Sequence, residues 1–96
     1  MYESGLESYV VRKVKEAGGR SFKWVCPGTT GVPDRICIFP GGRIVFAELK
    51  RPGLKNGLSL RQKKMCSLLS ALGCDVRRIS EKSEVNKLIS EARNEI

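Results

Sequence analysis

The sequence predicts one α/β domain over residues 1–96, ordered α-β-β-β-α-β-α, with a mixed central sheet flanked by helices. Three observations predict it. Apolar residues recur at helical spacing near both ends and again after residue 59. Four short runs rich in β-branched and aromatic residues lie between these stretches. Two of the runs are joined by the tight Pro40-Gly41-Gly42 turn.

From Glu3 to Ala17, Leu6, Tyr9, Val10, Val14 and Ala17 share one helical face, and Gly18-Gly19 ends the helix. Ser21 to Cys26 reads as a strand and Pro27 to Pro33 as a loop. Asp34 to Phe39 and Arg43 to Lys50 form a β-hairpin about the turn. Arg51 to Leu58 is an irregular, positively charged loop. Ser59 caps a second helix that is expected to bury Leu60, Met65, Leu68, Leu69 and Leu72, and Gly73 stops it. Asp75 to Ile79 is the fourth strand. Ser80 caps a last helix with Val85, Leu88, Ile89 and Ala92 on its inner face.

The composition narrows the function classes. Hydrophobic residues make up 41 % and charged residues 29 %, the balance of a globular domain. No apolar run approaches a membrane span. The start, Met1-Tyr2-Glu3-Ser4-Gly5, lacks the basic and apolar parts of a signal peptide, so a cytoplasmic protein is expected. Cys26, Cys37, Cys66 and Cys74 form no Cys-x-x-Cys pair and there is no histidine, which argues for reduced thiols over zinc or disulfides. Eighteen Lys and Arg against ten Asp and Glu leave a net charge of +8, which favours a polyanionic partner.

The hairpin carries the chemistry. A three-residue turn pairs Phe39 with Arg43, Ile38 with Ile44, Ile36 with Phe46, and Asp34 with Glu48. Opposed side chains share a face, with Cβ atoms about 5 Å apart. Ile44, Phe46, Glu48 and Lys50 then lie on one face and Val45, Ala47 and Leu49 on the other, as expected of a central, covered strand. Two facing carboxylates repel, and a divalent cation removes the conflict. Two carboxylates, a backbone carbonyl and waters suit Mg²⁺ or Mn²⁺. Lys50 can balance charge and place a water, and metal-assisted attack on a phosphodiester follows. The bland alternative is a cluster of ordinary ion pairs at a sheet edge.

Gly31-Val32-Pro33-Asp34 followed by Glu48-Leu49-Lys50 resembles the Pro-Asp…Glu-x-Lys signature of the PD-(D/E)XK nuclease superfamily, with its restriction-endonuclease-like core. Glu7 in the first helix and Gln62-Lys63 in the second extend the likeness to the virus-type replication-repair nuclease (VRR-NUC) domain in its stand-alone form, which occurs in phages and bacteria. The resemblance implies Asp34, Glu48 and the Leu49 carbonyl as metal ligands and Lys50 as the catalytic lysine. It implies Glu7 as an acid near a second metal or a water, and Gln62 as a glutamine near the site. It also implies a homodimer that cuts branched DNA such as Holliday junctions. No small-molecule cofactor is expected.

Some residues have competing explanations. Glu7 also reads as a solvated helix glutamate. Gln62 also completes a Ser59-x-x-Gln62 capping box. Arg51, Lys55, Arg61, Lys63 and Lys64 read as phosphate contacts that position DNA, or as a solvated basic face. Arg77 and Arg78 alternate, so at most one faces the site. Trp24 reads as a core residue rather than a base-stacking platform. The rival function is a non-catalytic basic module that holds DNA or RNA for a partner.

Overall fold

A computed structural model describes residues 5–50 and 60–94. The elements are α1 (Gly5–Glu16), β1 (Arg20–Lys23), β2 (Arg35–Phe39), β3 (Arg43–Leu49), α2 (Leu60–Ala71), β4 (Asp75–Ile79) and α3 (Lys82–Asn94). Their order is the expected one. The sheet runs β1-β2-β3-β4, antiparallel except for the parallel pair β3 and β4. β3 is therefore an inner strand. The helical crossover through α2 is what lets β4 lie parallel beside it.

The hairpin register is as read from its turn: Phe39 faces Arg43, Ile38 faces Ile44, and Ile36 faces Phe46. The ladder closes at Arg35 and Ala47. Asp34 therefore sits just outside β2 rather than within it. Its carbonyl still accepts the Trp24 N–H (3.0 Å), which carries the chain from β1 past the end of the ladder. β1 is shorter than expected at its far end, stopping at Lys23.

Side-chain alternation divides the sheet into unlike faces. Cys37, Phe39, Val45, Ala47, Leu49 and Ile79 form the core with Val10 and Val14 of α1 and Val85, Leu88, Ile89 and Ala92 of α3. Both outer helices meet here, and Tyr9 Oη donates to Asn86 Oδ1 between them (2.6 Å). The other face carries Phe22, Ile36, Ile38, Ile44, Phe46, Val76 and Glu48. α2 lies over only part of it, so Phe22, Ile38 and Ile44 remain exposed.

The expectation for α2 needs correction. No described residue of α2 is fully buried, and Leu60, Leu68 and Leu72 are exposed. Its apolar residues do not gather into one stripe facing the sheet, so the helix rests against β4 without joining the core. The cap of α3 also differs in detail. Glu84 Oε1 accepts the Ser80 N–H (2.9 Å), the Glu81 N–H (3.1 Å) and the Ser80 hydroxyl (2.8 Å). The acid three residues inside the helix thus closes its start, as in the second half of a capping box. Ser59 lies outside the described residues. Among those residues no helix is long and apolar enough to cross a membrane.

Candidate active site

The Gly31–Asp34 turn, the end of β3 and the first turns of α2 meet at one corner of the sheet. Gly31 has a positive φ of 86°, a conformation that favours glycine. A Cβ there would lie 2.8 Å from the Arg61 carbonyl oxygen and 3.2 Å from the Gln62 nitrogen. The turn and the α2 backbone are therefore in direct contact. Arg61 Nη1 donates to Thr30 Oγ1 (3.1 Å) and fastens the same junction. This contact brings Gln62 beside the motif turn, although residues 31 and 62 are far apart in sequence.

Asp34 is held by the strand it faces. The Leu49 N–H donates to Asp34 Oδ2 at 2.8 Å. The bond ties Asp34, one residue before β2, to the residue after Glu48, just beyond the last paired rung of the hairpin. Glu48 is 0 % exposed. Removing a carboxylate this far from water is costly unless its charge is compensated. Arg78 of β4 is the partner of Glu48 in the parallel register. Cys66, one turn beyond Gln62, senses both Glu48 and Asp34. Burial first, then the Glu48 charge, pushes its thiol pKa up, while Arg78 opposes and Asp34 adds to the rise. The start of α2 therefore lies at the same corner as the motif turn, with its Arg61–Gln62 backbone against Gly31.

Lys50 directly follows β3 and is exposed. Its N–H donates to the Ile79 carbonyl (2.8 Å), which fixes the backbone at the strand's end. Its positive charge reaches Glu84 and helps hold that carboxyl below its ordinary pKa, a shift due first to the Ser80 N–H. The lysine sits where β3 leaves the sheet, two residues beyond the buried Glu48.

The other expected residues divide among several roles. Glu7 Oε2 accepts from Arg35 Nη1 (3.0 Å), and both side chains are largely buried. Arg35 also donates to Ser21 Oγ (2.7 Å) and to the Ser21 carbonyl (3.1 Å). Glu7 is thus tied to the residue next to Asp34, on the opposite face of the sheet from Glu48. Arg61 is engaged with Thr30, whereas Lys63 and Lys64 are exposed on α2. Arg51 and Lys55 lie outside the described residues. Trp24 is half-buried with its ring 5.0 Å from that of Phe46.

β4 separates its two arginines. Arg77 donates to Asp75 (2.6 and 3.1 Å) and to Glu91 (2.6 Å) on the core side. Arg78 shares the face of Glu48. Cys66, Thr30 and Arg78 are the neighbours that sequence reasoning did not bring to the site. Alternation in β4 was visible, but its pairing partner was not.

Among the described residues no three His, Cys, Asp or Glu side chains gather as a metal cluster. The site offers two carboxylates, Glu48 on β3 and Asp34 in the turn that leads into β2. That donor set fits a hard cation that keeps several waters, as Mg²⁺ and Mn²⁺ do.

No family model matches the chain. The phage protein "Putative nuclease p44" of Acyrthosiphon pisum secondary endosymbiont phage 1 is 45 % identical over 53 residues, which cover 55 % of this chain and 57 % of that protein. The match thus spans little more than half of that relative's length. A solved structure described as a VRR-NUC domain superposes with a TM-score of 0.79 at 27 % identity, covering 88 % of this chain and 90 % of that one.

Proposed function

We propose that this chain, a VRR-NUC domain by its fold and ordered motif, is a divalent-metal-dependent DNA endonuclease working through Asp34, Glu48 and Lys50. The observation that carries the reading is the corner where Asp34 is locked onto Leu49 beside the fully buried Glu48. The nuclease description of the phage relative supports the same reaction class.

In this reading Asp34 and Glu48 would hold Mg²⁺ or Mn²⁺, joined by the Leu49 carbonyl. When bound, such an ion lowers the pKa of a water and neutralises charge on the phosphate. The Leu49 N–H fixes the rotamer of Asp34, so the acid need not be ordered when substrate arrives. Lys50, at the solvent edge, orients the attacking water and offers positive charge to the phosphate oxygens. Gln62 reaches the same corner from the start of α2. Glu7 acts at one remove, by holding Arg35 beside Asp34. Lys63, Lys64, Arg51 and Lys55 contact phosphates without reading sequence.

Branched DNA and a homodimer belong to the same proposal and come from the family resemblance. Phe22, Ile38 and Ile44, exposed side by side on one sheet face, support a second copy there. Two sites on a twofold axis can cut opposing strands. The test is cleavage of four-way, flap and linear DNA by wild type, Glu48→Ala and Lys50→Ala with Mg²⁺ or Mn²⁺ varied. Wild type is expected to cut, and both variants to bind DNA without cutting. A wild-type chain that binds these DNAs and cuts none with either metal is instead the non-catalytic module.

A further inference from the structure

We propose that the groove between α2 and β4 is a second DNA-binding subsite, which grips the phosphodiester backbone beyond the phosphate being cut. The proposal rests on the nuclease reading for its ligand. The groove encloses about 550 Å³ and is lined by Lys63, Cys66, Ser67, Ser70, Val76 and Arg78. Two of these are cations and two carry hydroxyls, and none of the described lining residues is a carboxylate. That is the donor set of a phosphate contact: charge to attract it and hydroxyls to donate hydrogen bonds to its oxygens.

Its position makes it continuous with the candidate active site. Arg78 stands beside Glu48 in the register of β3 and β4. Cys66 lines the groove and also senses both Asp34 and Glu48. A strand whose phosphate lies at the carboxylates can therefore run on between α2 and β4.

The arginines of this sheet are used differently on its two faces. Arg35, Arg43 and Arg77 are committed to Glu7, Asp75 and Glu91 on the core side. Arg78 and Lys63 are exposed and form no ion pair among the described residues. Exposed cations with no ion pair among the described residues, around a groove whose described lining carries no carboxylate, can attract an external anion. The weak packing of α2 fits this role, because its groove side is not consumed by the core.

The test uses the full chain, with EDTA present so that binding is read without cleavage. Fluorescence anisotropy with a labelled four-way junction and a labelled duplex gives Kd against salt for wild type, Arg78→Gln, Ser67→Glu and Ser70→Glu. Ser90→Glu on α3 is the control. Arg78→Gln is expected to weaken binding several-fold and to lower the salt slope by about 0.9 on duplex DNA, the share of one phosphate contact. Ser67→Glu and Ser70→Glu are expected to weaken binding by repulsion, and Ser90→Glu to leave it unchanged. Unchanged Kd and slope in all three groove variants would overturn the proposal. An unchanged slope with a shifted metal requirement for cleavage in Arg78→Gln would also overturn it, by assigning Arg78 to the charge of Glu48 alone. If wild type binds but never cuts, a lowered slope in Arg78→Gln still supports the groove, while the nuclease reading fails separately.

Discussion

Replacing Gly31 by alanine should damage both the fold and the site, and its cost can be set against an internal control. Gly28 and Gly31 lie in the same loop with similar φ, 82° and 86°. An alanine Cβ at 28 meets nothing within 4 Å. At 31 it would stand 2.8 Å from the Arg61 oxygen, 2.9 Å from its carbonyl carbon and 3.2 Å from the Gln62 nitrogen. These are backbone atoms, which cannot rotate away as a side-chain tip can. Left-handed backbone costs an alanine about 1–2 kcal/mol at either position. Reaching ordinary contact at 3.4 Å from 2.8 Å requires the turn and α2 to part by about 0.6 Å. Overpacking of that kind adds about 1–3 kcal/mol. Gly28→Ala is thus expected to lose about 1–2 kcal/mol and Gly31→Ala about 2–5 kcal/mol. Urea unfolding measures both, with equal m-values confirming that the comparison is fair. Because the displaced parts are the turn before Asp34 and the start of α2, cleavage should fall by up to about 100-fold in Gly31→Ala alone. Two variants that match in stability to within about 0.5 kcal/mol would refute the contact between turn and helix.

Three further outcomes are expected. Asp34→Ala leaves the Leu49 N–H without its acceptor and should cost about 1–3 kcal/mol, whereas Asp34→Asn keeps an acceptor oxygen and should stay within about 1 kcal/mol of wild type. Both should lose cleavage, and an active Asp34→Asn enzyme would remove Asp34 from the ligand set. Glu84 has its carboxyl pKa lowered in the folded state, first by the Ser80 N–H, so its stabilisation is present above the ordinary carboxylate pKa and lost as pH falls through the lowered value. Glu84→Ala should therefore cost about 1 kcal/mol at neutral pH, with the difference from wild type shrinking in acid, as denaturation at several pH values would reveal. Finally, all four thiols are free, and Cys37 is buried with its pKa raised by that burial. Thiol titration should find four groups in denaturant, with Cys37 the slowest to react in the native protein.

How much of this was legible beforehand follows from the range of each interaction. The hairpin register could be read because a short turn leaves one pairing that keeps Val45, Ala47 and Leu49 together on the core face. The Pro-Asp…Glu-x-Lys motif was legible for the same reason, since one carboxylate directly precedes the first strand of the hairpin and the other lies on the second. The disposition of α2 was not legible. Its leucines suggested a core helix, but burial depends on what the sheet presents, and the core face was already filled by α1 and α3. The tie between Glu7 and Arg35 was hidden as well, because no local pattern links a first-helix acid to an arginine 28 positions away.

The sequence alone determined the element order, the hairpin register and the side of β3 on which Glu48 lies, because each depends on period-two alternation and one short turn. Only the tertiary structure decided that β4 joins β3 in parallel, bringing Arg78 to Glu48 while Arg77 turns to Asp75 and Glu91. It likewise decided that Gly31 abuts the α2 backbone, which brings Gln62 beside the motif turn and Cys66 within electrostatic reach of both carboxylates. Those placements arise between segments far apart in sequence, where contact is set by how layers pack and not by residue spacing.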